Sequence, residues 1–157
     1  MTKTSALKSG GFYRYAALLI WIAFIFFLSS GQASAAQTSR FIRPLLDLFL
    51  SSLALPETID LIHAGIRKLA HLFIYAVAGI LAIRAFRGSM PQPTTVQTLS
   101  ALSLVLLVAT IDEINQSFDP TRTGSPFDVA IDLAGGIIGV AGVLLMSRLR
   151  PKRFGTA

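Results

Sequence analysis

The chain contains no cysteine and little charge of either sign. Its 157 residues include a single Trp and only eight Asp and Glu, and charged residues make up 14% of the total. The absence of cysteine excludes disulfides, thiolate metal sites and a cysteine nucleophile. Soluble domains carry about 25% charged residues. The low charge, together with 53% hydrophobic residues and a mean hydropathy of +0.64, therefore argues against a small soluble protein.

The basic balance of the chain does not indicate a nucleic-acid partner. The net charge is +6 and the pI is about 10.3. Nucleic-acid binding would need a continuous basic patch, whereas the Lys and Arg residues of this chain lie beside apolar runs. The length indicates one domain.

Four apolar segments are long enough to cross a bilayer, which takes about 20 mostly apolar residues. They lie near residues 13–30, 62–86, 96–118 and 126–149. The predicted fold class is therefore all-α, an integral membrane bundle of four transmembrane helices over residues 13–149. Residues 1–12 form an N-terminal segment and residues 150–157 a basic C-terminal segment.

Two parts of the chain allow alternatives. Phe41–Leu55 is apolar but too short to span, and we predict a short interfacial helix between helices one and two; the alternative is a poorly packed loop. The basic N-terminus, the apolar stretch Ala16–Leu28 and the small residues at 33–35 also resemble a cleavable signal peptide. We expect retention as a helix, and helix two starts on the outer side in either case.

The basic residues predict the orientation, because Lys and Arg favour the cytoplasmic side. With both termini inside, nine basic residues and no acidic residue lie inside: Lys3, Lys8, Arg14, Arg84, Arg87, Arg148, Arg150, Lys152 and Arg153. All eight acidic residues then lie outside with the remaining five basic residues. We therefore predict a multi-pass protein with both termini cytoplasmic.

A stripe of polar residues marks the outer part of helix two. Arg67, His71 and Tyr75 are spaced i, i+4, i+8 and share one face, descending about 12 Å at 1.5 Å per residue. Lys68 lies beside them. Ionisable residues in a span are costly and are a functional-site hypothesis by default. The alternative is that Arg67 and Lys68 extend to the headgroups while His71 only packs.

Carboxylates face this stripe from helix three. Asp112, Glu113 and Gln116 share one broad face near its outer end. Because buried carboxylates need partners, we expect them to face the bundle and to pair with Arg67 and Arg122. The alternative is a purely structural ion-pair network.

Helix four begins with two more carboxylates, Asp128 and Asp132, one turn apart. Three glycines continue nearly the same face: Gly135, Gly139 and Gly142. Small residues at this spacing let helices approach closely, so both acids are expected to point into the bundle. Asp128 has a second explanation, because with Ser125 it resembles a capping box.

Polar blocks on these helices resemble the VanZ-like family of membrane proteins. Residues 66–75 carry an RK-x-x-H-x-x-x-Y pattern, and residues 112–118 carry a DE-x-x-Q pattern. The second block continues with Pro120, Arg122, Asp128, Gly135 and Gly136, and Ser29 and Ser30 after helix one are similar too. Where many relatives carry an acidic residue before the tyrosine, this chain has Ile74.

The resemblance implies a small integral protein of the bacterial cell envelope, and hence the bacterial inner (cytoplasmic) membrane. The namesake of the family is associated with resistance to glycopeptide antibiotics, teicoplanin in particular. A link to glycopeptide tolerance is therefore an expectation. The resemblance implies no established mechanism.

The leading functional hypothesis is binding of an anionic lipid or lipid-linked precursor at the outer leaflet. Arg67, Lys68 and Arg122 would hold phosphate, with the two arginines acting as bidentate forks. The predicted ligand-binding set also includes His71, Tyr75, Asp112, Glu113, Gln116, Asp128 and Asp132. Membrane lipids are the expected partners, and no cofactor or metal is predicted.

Two alternatives come from other functional classes. A membrane enzyme would use His71, Glu113 and Asp112 as general base and orienting groups, or would hold a hard divalent cation. A structural or partner-binding protein would use the charges only for assembly. The sequence has no Ser-His-Asp order, phosphatase signature or metal-ligand motif, so we favour binding over catalysis.

Overall fold

The computed structural model describes residues 3–30, 44–45, 48–49, 56–118 and 125–149. Within these ranges the long elements are all helices and no strand occurs. They are α1 (Lys3–Ser29), α2 (Pro56–Ser89), α3 (Thr94–Ser117) and α4 (Pro126–Leu149). Each contains a segment long and apolar enough to cross a membrane. The prediction of an all-α bundle with four membrane-spanning helices is therefore confirmed.

The first two helices extend beyond the predicted apolar spans. α1 begins at Lys3, and its apolar part is Phe12–Ser29. α2 begins at Pro56, where proline suits the first turn and Glu57 favourably meets the positive end of the helix dipole. The early start of α2 adds polar turns at the end of the bundle where α3 finishes and α4 begins. We call this end the polar end.

Most of the predicted interfacial helix Phe41–Leu55 lies outside the described residues. The structure describes only residues 44–45 and 48–49 of this segment. The interfacial helix therefore stays a prediction.

The exterior of the bundle is apolar. Large side chains project outward from all four helices, among them Leu19, Phe73, Leu107 and Leu145, which are 55–67% exposed. The interior is formed largely by smaller residues such as Ala82, Ala101 and Val105, together with Ile83 and Tyr75. An apolar surface of this kind is suited to acyl chains rather than water. The chain is therefore a multi-pass membrane protein.

Glycines bring α2 and α4 into backbone contact. A Cβ atom added to Gly135 would overlap the Leu72 carbonyl, and one added to Gly139 would overlap the Ala76 carbonyl. The two contacts are one turn apart on both helices, so α2 and α4 run parallel with a defined register. Gly142, predicted to share this face, has nothing near its Cβ position.

α1 and α3 complete the bundle around this pair. The Trp21 indole donates a hydrogen bond to the Ile74 carbonyl at 3.0 Å and so attaches α1 to α2. At the end opposite the polar end, the Gln97 side chain donates to the carbonyls of Met90 (3.0 Å) and Gln92 (2.8 Å). These bonds stabilise the turn between α2 and α3 and so fix the position of each helix along the other.

We expect Gly139→Val to destabilise the bundle. The added side chain must push α4 away from the Ala76 carbonyl, which belongs to backbone and cannot rotate aside. Overpacking of this kind costs about 1–3 kcal/mol. Thermal unfolding of the detergent-solubilised protein should show a lower Tm. Gly142→Val is the matched control, because it adds the same atoms where there is open space. An equal Tm for both variants would contradict the role of the glycine contact.

Candidate functional site

The Asp112 carboxylate is held from two directions inside the bundle. It is 2% exposed, and its Oδ2 atom accepts hydrogen bonds from the Tyr75 hydroxyl and from the Gln116 amide, both at 3.1 Å. Tyr75 comes from α2, while Gln116 lies one turn along α3. The Oδ1 atom is buried and has no hydrogen-bond partner among the residues that the structure describes. Two donors therefore fix the orientation of the carboxylate and leave one oxygen available.

Asp132 lies level with His71 between α2 and α4. The His71 Nδ1 atom is 3.3 Å from Asp132 Oδ1, which is an ion-pair distance, but within the described ranges neither Asp132 oxygen has a partner with hydrogen-bond geometry. Asp132 is 0% exposed. The glycine contact explains the position, because Gly135 packs on Leu72, the residue after His71, and lies one turn beyond Asp132. His71 and one oxygen each of Asp112 and Asp132 lie within 4.8 Å of one another.

Glu113 anchors the start of α4. Its Oε1 atom accepts a hydrogen bond from the Ser125 N–H at 2.5 Å. Ser125 in turn caps α4, because its hydroxyl accepts a bond from the Phe127 N–H at 3.2 Å. In a capping box, Asp128 would accept the Ser125 N–H. Glu113 occupies that role from α3, so Asp128 is available to the cavity described below.

A first cavity of about 40 Å³ lies between α1, α2 and α3. Its polar wall contains the Tyr75–Asp112–Gln116 group and His71. α1 contributes Ser29, whose buried hydroxyl has no hydrogen-bond partner in the part of the chain that the structure describes. The rest of the wall is apolar and consists of Ile25, Leu28 and Ile74.

A second, larger cavity of about 160 Å³ lies between α2 and α4. It is lined by His63, Ala64, Arg67, Lys68, His71, Asp128, Ile131 and Asp132. The Lys68 ammonium lies 4.7 Å from the centre of the Phe127 ring, a cation–π contact that connects α2 to α4. His71 lines both cavities and therefore stands between them.

The partners of the carboxylates differ from those expected. Asp112 is bonded by Tyr75 and Gln116, and Glu113 by a backbone N–H, rather than by Arg67. Arg67 is half-buried in the second cavity, and no carboxylate among the described residues lies within ion-pair distance of it. The reason is geometric: Arg67 lies one turn farther toward the polar end than His71. Arg122 lies outside the described residues, so its role stays a prediction.

The other predicted site residues do come together at the polar end. Tyr75, Asp112 and Gln116 line the first cavity, while Asp128 and Asp132 line the second. Residues 12–147 of this chain match the model of the VanZ/LLP1 family. The chain belongs to the VanZ/LLP1 family. The matched range contains the first three spans and all but the last two residues of the fourth, and the predicted resemblance is confirmed. No curated protein and no solved structure matches the chain.

The predicted site set of this VanZ/LLP1 protein did not include two residues that line the cavities. His63 precedes Arg67 by one turn, so extending the i, i+4 stripe backward by one step would have found it. Ser29 enters the site because α1 packs against α2 and α3, which no local spacing indicates. Its only signal was the resemblance of the serine pair after helix one to the family pattern.

We expect Glu113→Ala to loosen the start of α4. The substitution removes the acceptor of the Ser125 N–H, and hydrogen bonds to charged groups contribute about 1.5–3 kcal/mol. Glu113→Gln keeps a carbonyl acceptor and should lose less. Hydrogen exchange at the first turns of α4 should accelerate in the order wild type, Gln, Ala. Equal exchange in the Ala variant and the wild type would contradict the anchoring role.

Proposed function

We propose that this protein binds an anionic lipid or a lipid-linked envelope precursor through the second cavity. The observation that carries the proposal is the position of Arg67 and Lys68 on an open cavity at the polar end of a membrane bundle. The wall combines cationic groups with apolar residues, as a phosphate headgroup with an attached chain requires.

Arg67 is suited to a phosphate because its guanidinium is not occupied by a carboxylate among the described residues. A guanidinium presents five N–H donors in a rigid fork that matches two phosphate oxygens. Its half-buried position reduces competition from water, and electrostatic attraction is stronger in a low-dielectric setting. These features favour capture of an anion rather than simple contact with the membrane surface.

Lys68 and the apolar wall of the second cavity also suit a lipid ligand. The contact with Phe127 holds the ammonium at the rim, where it contributes a second positive charge. Ala64 and Ile131 provide apolar surface in the same cavity. An amphipathic ligand would therefore find its charge and its hydrocarbon matched within one site.

The carboxylates of the second cavity give selectivity. Asp132 faces His71, and Asp128 lies one turn closer to the end of the bundle. Negative charge beside the cations discourages indiscriminate anion binding, because a ligand must place its phosphate on the cationic side. Binding in this form needs no reaction. The link to glycopeptide tolerance would follow if the bound lipid is an envelope precursor.

We also propose that the protein lies in the bacterial inner membrane with the polar end outward and both termini cytoplasmic. The support is the distribution of Lys and Arg, which are concentrated near the two termini and at the end of α2. In this orientation the second cavity opens at the outer leaflet.

Arg67→Ala should release the bound lipid. Loss of a charge-assisted, bidentate contact corresponds to about tenfold weaker binding or more. Native mass spectrometry of the full chain, supplied with phosphatidylglycerol, a polyprenyl phosphate or phosphatidylcholine, measures retention of each lipid. The two anionic lipids, phosphatidylglycerol and polyprenyl phosphate, distinguish binding of a general anionic lipid from binding of a lipid-linked precursor. Phosphatidylcholine, which has no net charge, reports non-specific association.

Arg84→Ala is the matched control for this experiment. Arg84 is an exposed arginine on the same helix, at the end opposite the cavity. We expect it to leave lipid retention unchanged and Arg67→Lys to have an intermediate effect, because lysine keeps the charge without the fork. Equal retention in Arg67→Ala, Arg84→Ala and the wild type would refute the binding site.

Single cysteines test the orientation, because the chain has none of its own. We expect Glu57→Cys to react with a membrane-impermeant maleimide applied from the outer side of intact spheroplasts. Ser89→Cys, exposed at the other end of α2, should react only after permeabilisation. The opposite labelling pattern would invert the proposed topology and place the cavity at the inner leaflet.

A further inference from the structure

Three buried carboxylate oxygens at the centre of the site have no hydrogen-bond donor among the described residues. They are Asp112 Oδ1 and both oxygens of Asp132, and the two residues are 2% and 0% exposed. Burying an ionised group that is incompletely paired is strongly unfavourable. The His71 Nδ1 atom lies at ion-pair distance from Asp132 Oδ1, 3.3 Å, but without hydrogen-bond geometry, so both Asp132 oxygens still lack a donor. The lipid proposal uses Asp132 only as a negative charge beside the cations and assigns no ligand to Asp112.

The unused oxygens converge with an imidazole nitrogen. One donor atom each from His71, Asp112 and Asp132 lies within 4.8 Å of the others. Donor atoms that bind one metal ion tetrahedrally at about 2.1 Å lie about 3.4 Å from one another. Side-chain rotations that shorten the longest separation in the group by up to about 1.4 Å would therefore give a coordination sphere. The donors come from three different helices, so each occupies a separate direction around the centre.

The surroundings of Asp112 are those of an oriented metal ligand. Tyr75 and Gln116 both donate to Oδ2, which leaves Oδ1 as the free ligand atom. Hydrogen bonds of this kind hold metal-ligating carboxylates in position and are typical around metal centres.

We propose that His71, Asp112 and Asp132 bind one divalent transition-metal ion, Zn²⁺ or Mn²⁺. Imidazole favours zinc and related metals over Ca²⁺ and Mg²⁺, while two carboxylates suit Zn²⁺ or Mn²⁺ and the absence of thiolates disfavours Cu⁺. A doubly charged ion also balances the two buried carboxylates. This proposal differs from the expectation that no metal is bound. Sequence spacing could not show that His71, Asp112 and Asp132 lie close together, because they belong to three different helices.

Three protein ligands leave coordination positions open. His71 lines both cavities, Asp112 the first and Asp132 the second, so the ion would lie where the two cavities adjoin. An oxygen ligand entering from the second cavity would reach it. The metal site itself does not depend on the identity of any lipid.

Metal content of the full-length protein tests the proposal directly. The protein, purified in detergent and stripped with a chelator, is equilibrated separately with Zn²⁺, Mn²⁺ and Mg²⁺, desalted and analysed by plasma mass spectrometry. We expect roughly one ion of Zn²⁺ or Mn²⁺ per chain and little Mg²⁺. Pulsed EPR of the Mn²⁺ form should show coupling to a histidine ¹⁴N nucleus.

Asp132→Asn and Asp112→Asn should each weaken metal binding at least about tenfold, because even outer-shell changes cost 10–100-fold. Asp128→Asn is the matched control, removing a carboxylate from the same helix one turn away from the donor group. It should keep the metal. Size-exclusion chromatography checks that each variant remains folded.

The wild-type measurements decide the outcome even if a ligand variant fails to fold. Absence of saturable Zn²⁺ or Mn²⁺ binding, or Mn²⁺ bound without nitrogen coupling, overturns the proposal and implies that protons occupy the carboxylates. Equal binding in Asp132→Asn and Asp128→Asn also overturns it. Metal retained by a protein that binds none of the lipids supports this site and counts against the lipid proposal alone.

Discussion

Contact between the backbones of α2 and α4 sets the relative position of the polar groups on these two helices. Gly135 and Gly139 allow α4 to lie directly on carbonyl groups of α2, where any side chain would force the helices apart. The register of this contact places Asp132 beside His71 and buries Asp132 between the helices. Displacing α4 by one turn, about 5.4 Å, would separate the pair and remove the second cavity. The geometry of the site therefore depends on two glycines, which have no side chain that could bind a ligand.

The carboxylates are distributed among different tasks by the helices around them. Glu113 crosses from α3 to hold the first backbone N–H of the α4 cap. Asp112 is oriented by Tyr75 and by its own helix neighbour Gln116. These donors occupy Asp112 Oδ2 and Glu113 Oε1, so neither α3 carboxylate pairs with the guanidinium of Arg67. A cluster that looked in sequence like one network of ion pairs is divided into the Glu113 anchor, the three donor residues that we propose bind a metal, and the cationic side of the second cavity that we propose binds an anion.

Much of the architecture could be predicted from the sequence. Apolar runs of sufficient length predict spanning helices, because a single segment in a bilayer can satisfy its own backbone hydrogen bonds only as a helix. The i, i+4 spacing predicts that Arg67, His71 and Tyr75 share a face, since that spacing is a local property of a helix. Pairing across helices could not be predicted in the same way. The expected bond between Arg67 and the α3 carboxylates was wrong because it depends on relative heights and rotations, which local periodicity does not specify.

The sequence by itself determined the four apolar helices, the polar end of the bundle and the glycine-rich face of α4, because hydrophobicity and helical period act over short stretches of chain. Only the tertiary structure decided that Asp132 meets His71, that Glu113 replaces Asp128 in the cap and that Ser29 joins the site. These outcomes depend on how closely whole helices approach and at what register. The approach and the register of the helices are set by packing over many residues, so they are defined only when all four helices are assembled.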